Sequence, residues 1–262
     1  MENCYLPHKH KIIGITPQTA VDYTYRVAYD KTPIGGQFVE ISIPGIGEAP
    51  ISISDFGEGY IDMTIRNVGK VTNYLNTLKP GDFLYLRGPY GNGFDLENYK
   101  HKHLILAAGG TGLAPVKSII NYFYHHSHAI QQLDLLIGFK SSKDILFLDE
   151  IKMWQQKENF RVLLTIDQEE DDWQGNVGLI TKYVPEISIE ENSEVIIVGP
   201  PPMMKFTSLA FLEKVPEEKI WVSFERKMSC GIGKCGHCKI DETYVCLEGP
   251  VFNYTKAKQL MD

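Results

Sequence analysis

At 262 residues the chain exceeds one average domain, and with 43% apolar residues it can bury a sizeable core, so two domains plus a small appendage are expected. Lys and Arg number 26 against 33 Asp and Glu, and the resulting net charge of −7 argues against a surface for nucleic acid or anionic membrane. No apolar run approaches membrane-spanning length, so the expectation is a soluble cytoplasmic protein with no nucleic acid and no membrane among its partners.

From Lys11 to about Gly88 the chain reads as short alternating runs, at 11–16, 22–29, 37–43, 51–55, 60–66 and 83–87. Turn residues separate them at Pro33, Gly35-Gly36, Pro44-Gly45, Gly57-Glu58-Gly59 and Pro80-Gly81, a rhythm that predicts an antiparallel barrel. One helix interrupts the strands at 72–78, with Tyr74, Leu75 and Leu78 at helical spacing. Its entry, Gly69-Lys70-Val71-Thr72, combines free amides, a cation and a hydroxyl, which suits a diphosphate but equally suits a plain N-cap. Arg66, just before it, adds a second cation.

After Asn98 the pattern changes to buried strands followed by amphipathic helices. The apolar run 103–108 leads through Gly109-Gly110-Thr111-Gly112-Leu113-Ala114-Pro115 into a helix with Val116, Ile119, Ile120 and Phe123 on one face. Strand, glycine turn and helix in that order predict a dinucleotide site, although Pro115 stands where the fingerprint has its third glycine. Further strand and helix units follow at 133–139 with 148–156, at 160–166, and at 194–198 with a helix after Pro202, which together predict a doubly wound parallel sheet. Gly199-Pro200-Pro201-Pro202-Met203 closes the last of these and is placed to line one crevice with the Gly109 turn, the bland alternative being a simple loop. Lys140 follows the strand ending at Phe139, and the acidic run Glu169-Glu170-Asp171-Asp172 reads as a solvated loop. His125, His126 and His128 lie at a helix end, where the dipole favours imidazoles without any metal.

A further apolar strand at 220–224 precedes four of the five cysteines. Cys230, Cys235, Cys238 and Cys246 follow the C-x4-C-x2-C…C spacing that holds a [2Fe-2S] cluster in plant-type ferredoxins. Gly231, Gly233 and Gly236 allow positive φ and bring amides toward the sulfurs. A structural zinc on the Cys235/Cys238 arm is the competing reading, and His237 either tunes the cluster or faces solvent. Cys4 stands alone with no role expected.

Taken together, these segments resemble the ferredoxin–NAD(P) reductase superfamily across nearly the whole chain. Pro50-Ile51-Ser52 looks like the core of that family's flavin motif, Gly69 to Thr72 like its flavin diphosphate helix, and Gly109 to Pro115 with Gly199 to Met203 like its two nicotinamide-nucleotide turns. Carried over, the resemblance implies an FAD site at Pro50, Ile51, Ser52, Thr64, Ile65, Arg66, Gly69, Lys70, Val71 and Thr72. It likewise implies an NAD(P)H site at Gly109, Gly110, Thr111, Gly112, Pro115, Gly199, Pro200, Pro201 and Met203. Ala49 departs from the family, which has an arginine there, and Ile51 replaces an aromatic. The implied architecture is an antiparallel β-barrel flavin domain at 1–98, an α/β Rossmann-like NAD(P) domain at 99–222 and a [2Fe-2S] segment at 223–262.

The segments Gly88 to Phe94 and Glu225 to Cys235 resemble the electron-transfer subunits of dihydroorotate dehydrogenase, sulfhydrogenase and anaerobic sulfite reductase. Gly47 to Ser54, Cys235-Gly236-His237-Cys238 and Gly249 to Lys256 are most similar to the anaerobic sulfite reductase family among these three. That resemblance implies electron transfer from NAD(P)H through FAD and a [2Fe-2S] cluster to partner subunits, one carrying iron–sulfur clusters and one carrying sirohaem.

Overall fold

The computed structural model describes residues 5–261, and Cys4 lies outside them. Two compact units emerge. One comprises the chain up to Phe94 together with Phe224–Val251, the other Asp95–Ser223 together with the chain from Phe252 onward. The tail expected as a separate appendage is thus shared between the two.

The first unit is built on a closed barrel of β1 (His8–Pro17), β2 (Asp22–Ala28), β3 (Phe38–Ile43), β4 (Gly47–Gly57), β5 (Tyr60–Arg66) and, after helix α1 (Lys70–Leu75), β6 (Phe83–Tyr90). Its strand order is β1-β2-β5-β4-β3-β6, antiparallel throughout. Alternation drives the closure: Val39, Ile41 and Ile43 of β3 point into a core with Ile53, Ile61, Met63, Leu84 and Leu86, while the residues between them face outward. Val71 and Leu75 of α1 join this core.

Strand β4 is longer than the expected 51–55. Pro50 is tolerated because β4 pairs only with β3 at that point, and its pairing with β5 begins at Ile53.

The second unit is a sheet flanked by helices. Its elements are β7 (His103–Gly109), α2 (Ala114–His125), β8 (Gln132–Phe139), α3 (Leu148–Gln155), β9 (Phe160–Ile166), β10 (Asn176–Val177), β11 (Glu194–Val198), α4 (Pro201–Leu212) and β12 (Ile220–Ser223). Strands β7 and β11 are buried over their whole length and β8 over all but its first residue, which explains their unbroken apolar text. Pairings among β10, β9, β8, β7, β11 and β12 are parallel in that order, so the chain reverses its direction of travel across the sheet between β7 and β11. Ligands of such sheets sit at the carboxyl ends of the strands flanking this switch.

Beyond β12 come the hairpin β13 (Lys239–Ile240) and β14 (Thr243–Tyr244), the turn of helix α5 (Val245–Glu248), the edge strand β15 (Val251–Asn253) and α6 (Tyr254–Ala257). These short pieces carry too few residues for a periodic signal and are not legible in the sequence. Among the described residues no helix is long and apolar enough to cross a membrane.

Candidate functional site

In the loop between β12 and β13 and the helical turn α5, the four cysteines fall into two sulfur pairs. Cys230 lies beside Cys235, and Cys238 beside Cys246. Backbone amides already point at the sulfurs: Gly233 donates to Cys246 Sγ at 3.2 Å, Lys234 and Cys235 donate to Cys230 Sγ at 3.3 and 3.4 Å, and Cys246 donates to Cys238 Sγ at 3.4 Å.

These contacts need left-handed backbone at Gly231, Gly233 and Gly236, with φ of +72°, +68° and +79°. At Gly231 there is a second constraint, because a Cβ would lie 2.6 Å from the Tyr90 ring. The His237 amide holds the Cys235 thiol below its ordinary range, so the backbone of His237, whose residue is exposed, acts on the cysteines. Burial raises the Cys246 thiol. Amide donors trained on four sulfurs fit an anionic iron–sulfur cluster. A single-ion site does not emerge: among the described residues no three His, Cys, Asp or Glu side chains converge on one point. The three histidines at the end of α2 form no metal site either. His126 Nδ1 lies 2.9 Å from the Tyr122 carbonyl oxygen and its ring stacks on Tyr122.

What fastens this loop to the barrel is Arg87 of β6, a residue that belongs to none of the sequence motifs. It is buried, and its Nη1 and Nη2 each donate at 2.6 Å, to the carbonyl oxygens of Cys230 and Ser229. The same guanidinium forks onto Glu48 of β4 at 3.1 and 2.7 Å, which holds Glu48 below the usual carboxylate range. A lone outward-facing arginine at the end of an alternating strand was the only sequence signal. Its meaning depends on a loop 143 residues away.

The expected flavin residues lie on neighbouring strands of the same unit. Pro50, Ile51 and Ser52 sit on β4, and Thr64, Ile65 and Arg66 on β5. Ala49 and Ile51 pack against the barrel core. The Arg66 fork closes on buried Asp22 at 2.9 Å through both Nε and Nη2, so a phosphate at Arg66 would share it with that carboxylate. Thr72 accepts the amides of Val68 and Gly69 through its hydroxyl, which is the plain capping role, while Lys70 is exposed at the helix start.

In the second unit the two glycine turns meet. Ala108 of β7 pairs with Val198 of β11, which sets Gly109 and Gly199 side by side. A Cβ on Gly112 would fall 2.6 Å from the Val198 carbonyl oxygen, and Met203 packs 3.4 Å from where a Cβ on Gly109 would be. Gly110 and Thr111 form the intervening turn, and Pro115 occupies the first turn of α2. Pro200 caps α4 and Pro201 opens it. Backbone therefore approaches backbone at the switch point, as a pyrophosphate site requires.

Three families match along the chain: an oxidoreductase FAD-binding domain over 32–94, an oxidoreductase NAD-binding domain over 106–209, and the iron–sulfur cluster binding domain of dihydroorotate dehydrogenase B over 225–258. Sulfhydrogenase 1 subunit gamma of Pyrococcus furiosus is 33% identical over 97% of this chain and 92% of its own. The chain belongs to the ferredoxin–NADP reductase-like family. A probable electron transfer subunit of dihydroorotate dehydrogenase B (NAD(+)) from Thermoplasma volcanium is 35% identical over 83% of this chain and 78% of that protein. Among solved structures, a chain from the NADH-dependent reduced ferredoxin–NADP oxidoreductase superposes with a TM-score of 0.77 at 25% identity, covering 96% of this chain and 92% of that one. The barrel, the Rossmann-like sheet and the cysteine loop are accordingly FAD-binding, NAD-binding and iron–sulfur domains.

Two substitutions separate these parts. Arg87→Ala removes both carbonyl clamps and is expected to weaken cluster retention by about 10–100-fold, as loss of outer-shell support does, measured as iron per protein after challenge with a chelator. Gly112→Ala forces the two turns apart and is expected to slow NADH-driven flavin reduction on the order of 100-fold, with flavin and iron contents unchanged, in stopped-flow absorbance.

Proposed function

We propose that this protein is the electron-entry subunit of a larger oxidoreductase, taking electrons from NADH and handing them singly to a partner subunit through a [2Fe-2S] cluster held by Cys230, Cys235, Cys238 and Cys246. The observation that carries the reading is the presence of two sulfur pairs, each suited to one iron, in a chain that also has flavin and nicotinamide domains. A flavin supplies the conversion of an electron pair into single electrons, and the cluster supplies a one-electron store.

The chain's own residues bind and insulate rather than exchange protons with a substrate. Gly109, Gly110, Thr111 and Gly112 with Gly199, Pro200, Pro201 and Met203 shape the nucleotide crevice. Pro50, Ile51 and Ser52, Thr64 and Arg66, and Gly69, Lys70 and Thr72 line the FAD site, while Ile65 and Val71, whose side chains are buried in the barrel core, offer it only their backbone. Arg87 holds the cysteine loop against the barrel.

The donor is assigned as NADH. At the carboxyl ends of β8 and β9, beside the Gly109 turn in the sheet, the Asp167 amide donates to the Phe139 carbonyl oxygen, and Glu170 accepts from the Ser142 amide at 3.1 Å and the Ser142 hydroxyl at 2.5 Å. This edge carries Asp167, Glu169, Glu170, Asp171 and Asp172 against Lys140 and Lys143. A 2′-phosphate would meet net negative charge there, whereas a free ribose hydroxyl finds acceptors. NADH is expected to exceed NADPH in kcat/KM by tenfold or more, ~1.4 kcal/mol, in steady-state assays with an artificial acceptor.

For the terminal acceptor, the segments Gly47 to Ser54, Cys235 to Cys238 and Gly249 to Lys256 support a cytoplasmic anaerobic sulfite reductase whose other subunits bear iron–sulfur clusters and sirohaem. A hydrogenase partner is the second reading, favoured by the end-to-end likeness to sulfhydrogenase 1 subunit gamma. Partner subunits that co-purify decide between them. Sulfite-dependent NADH oxidation is expected to be absent from the isolated chain and to appear on adding the iron–sulfur and sirohaem subunits together; full activity from the single chain would overturn the proposal.

A further inference from the structure

Glu40, in the middle of β3, is completely buried, and both of its carboxylate oxygens lack a hydrogen-bond partner. The strand alternation that sends Val39 and Ile41 into the barrel core turns Glu40 outward, where its register neighbours are Pro50 of β4 and Arg87 of β6. Arg87 has nothing left to offer it, since its five N–H groups are taken by Glu48, Ser229, Cys230 and the Tyr90 hydroxyl. An unpaired buried carboxylate is costly, and protonation is the route by which such a group sheds that cost.

We propose that Glu40 is the proton acceptor that compensates the charge of the iron–sulfur cluster, protonated when the cluster gains an electron and released when it loses it. The inference rests on the cluster assignment proposed above. With flavin and cluster bound, one electron from the reduced flavin would lower the cluster by one oxidation level, and one proton from solvent would form the O–H bond of the Glu40 carboxyl. No bond to the cluster is made or broken, and oxidation by the partner reverses both transfers.

The ionisable groups whose electrostatics reach Glu40 are Arg87 from β6, Glu48 from β4 and Cys230 from the cysteine loop. Burial pushes the Glu40 carboxyl up to about 7; Arg87 opposes this, and Glu48 and Cys230 reinforce it. The group therefore stands at the edge of ionisation at neutral pH. An added negative charge on the cluster favours the protonated form, so proton uptake accompanies reduction and the cluster potential must fall as pH rises.

The test is an anaerobic redox titration of the flavin- and iron-loaded protein at a series of pH values from 6 to 9, with the reduced cluster followed by its paramagnetic resonance. In the wild type the potential is expected to fall with pH above about 7, each tenfold drop in proton activity lowering it by up to about 59 mV, the one-electron conversion. Glu40→Gln is expected to be flat over the same range, and Glu40→Asp to retain a slope. A second readout uses the wild type alone: the reduced-minus-oxidised infrared difference spectrum should gain a protonated-carboxyl band that shifts in deuterated water. This readout stands if Glu40→Gln fails to assemble. A pH-independent wild-type potential, an unchanged slope in Glu40→Gln, or no carboxyl band overturns the inference while leaving the cluster intact. Absence of any cluster signal overturns the cluster assignment and this inference together.

Discussion

One guanidinium sets where the cysteine loop can be. Arg87 forks onto Glu48 across the barrel wall and donates to two consecutive carbonyls of the loop, those of Ser229 and Cys230, with a longer bond to the Tyr90 hydroxyl. Charge-assisted bonds in a buried setting are stronger and more directional than packing alone. The first cysteine is thereby registered against β6 through its own backbone. The glycines then turn the following amides onto the sulfurs, and Tyr90, three residues beyond Arg87, fills the space that only a glycine at 231 leaves open. Remove the guanidinium, and the loop loses the partner that fixes its distance from the barrel.

The second unit relies on close approach in place of charge. Where β7 and β11 run side by side, two glycine turns press backbone on backbone, and a single methyl group at 112 would collide with the Val198 carbonyl. The strand order forces this meeting, because the sheet grows in opposite directions from β7 and β11. Main chain, not charged side chains, thus shapes this turn, as the close approach of a dinucleotide's pyrophosphate requires.

Much of this was legible in the sequence, for physical reasons that differ by element. The strands 60–66, 160–166 and 194–198 coincide with β5, β9 and β11, since alternation or unbroken burial marks them clearly. The face of α2 formed by Val116, Ile119, Ile120 and Phe123 is buried as its spacing implies. Helix α1 is shorter and earlier than 72–78, because Gly69 starts it and Asn76 ends it before the apolar spacing runs out. Cysteine spacing revealed the candidate cluster ligands, whereas Arg87, Glu48 and Glu40 carry no such signal. Each is an ordinary charged residue on a strand, and its importance comes from long-range pairings that no local pattern encodes.

The division of the chain between units carries a consequence for biogenesis. Barrel strands occupy the first third of the sequence, yet their unit is completed only by Phe224–Val251, and the final residues return to the other unit. On the ribosome, all six barrel strands and the nucleotide sheet through β12 are synthesised before Phe224–Val251, so the cysteine segment joins a barrel whose strands are already made. Losing the chain from Phe224 onward would therefore strip material from both units at once, so neither can be trimmed there without harm to the other.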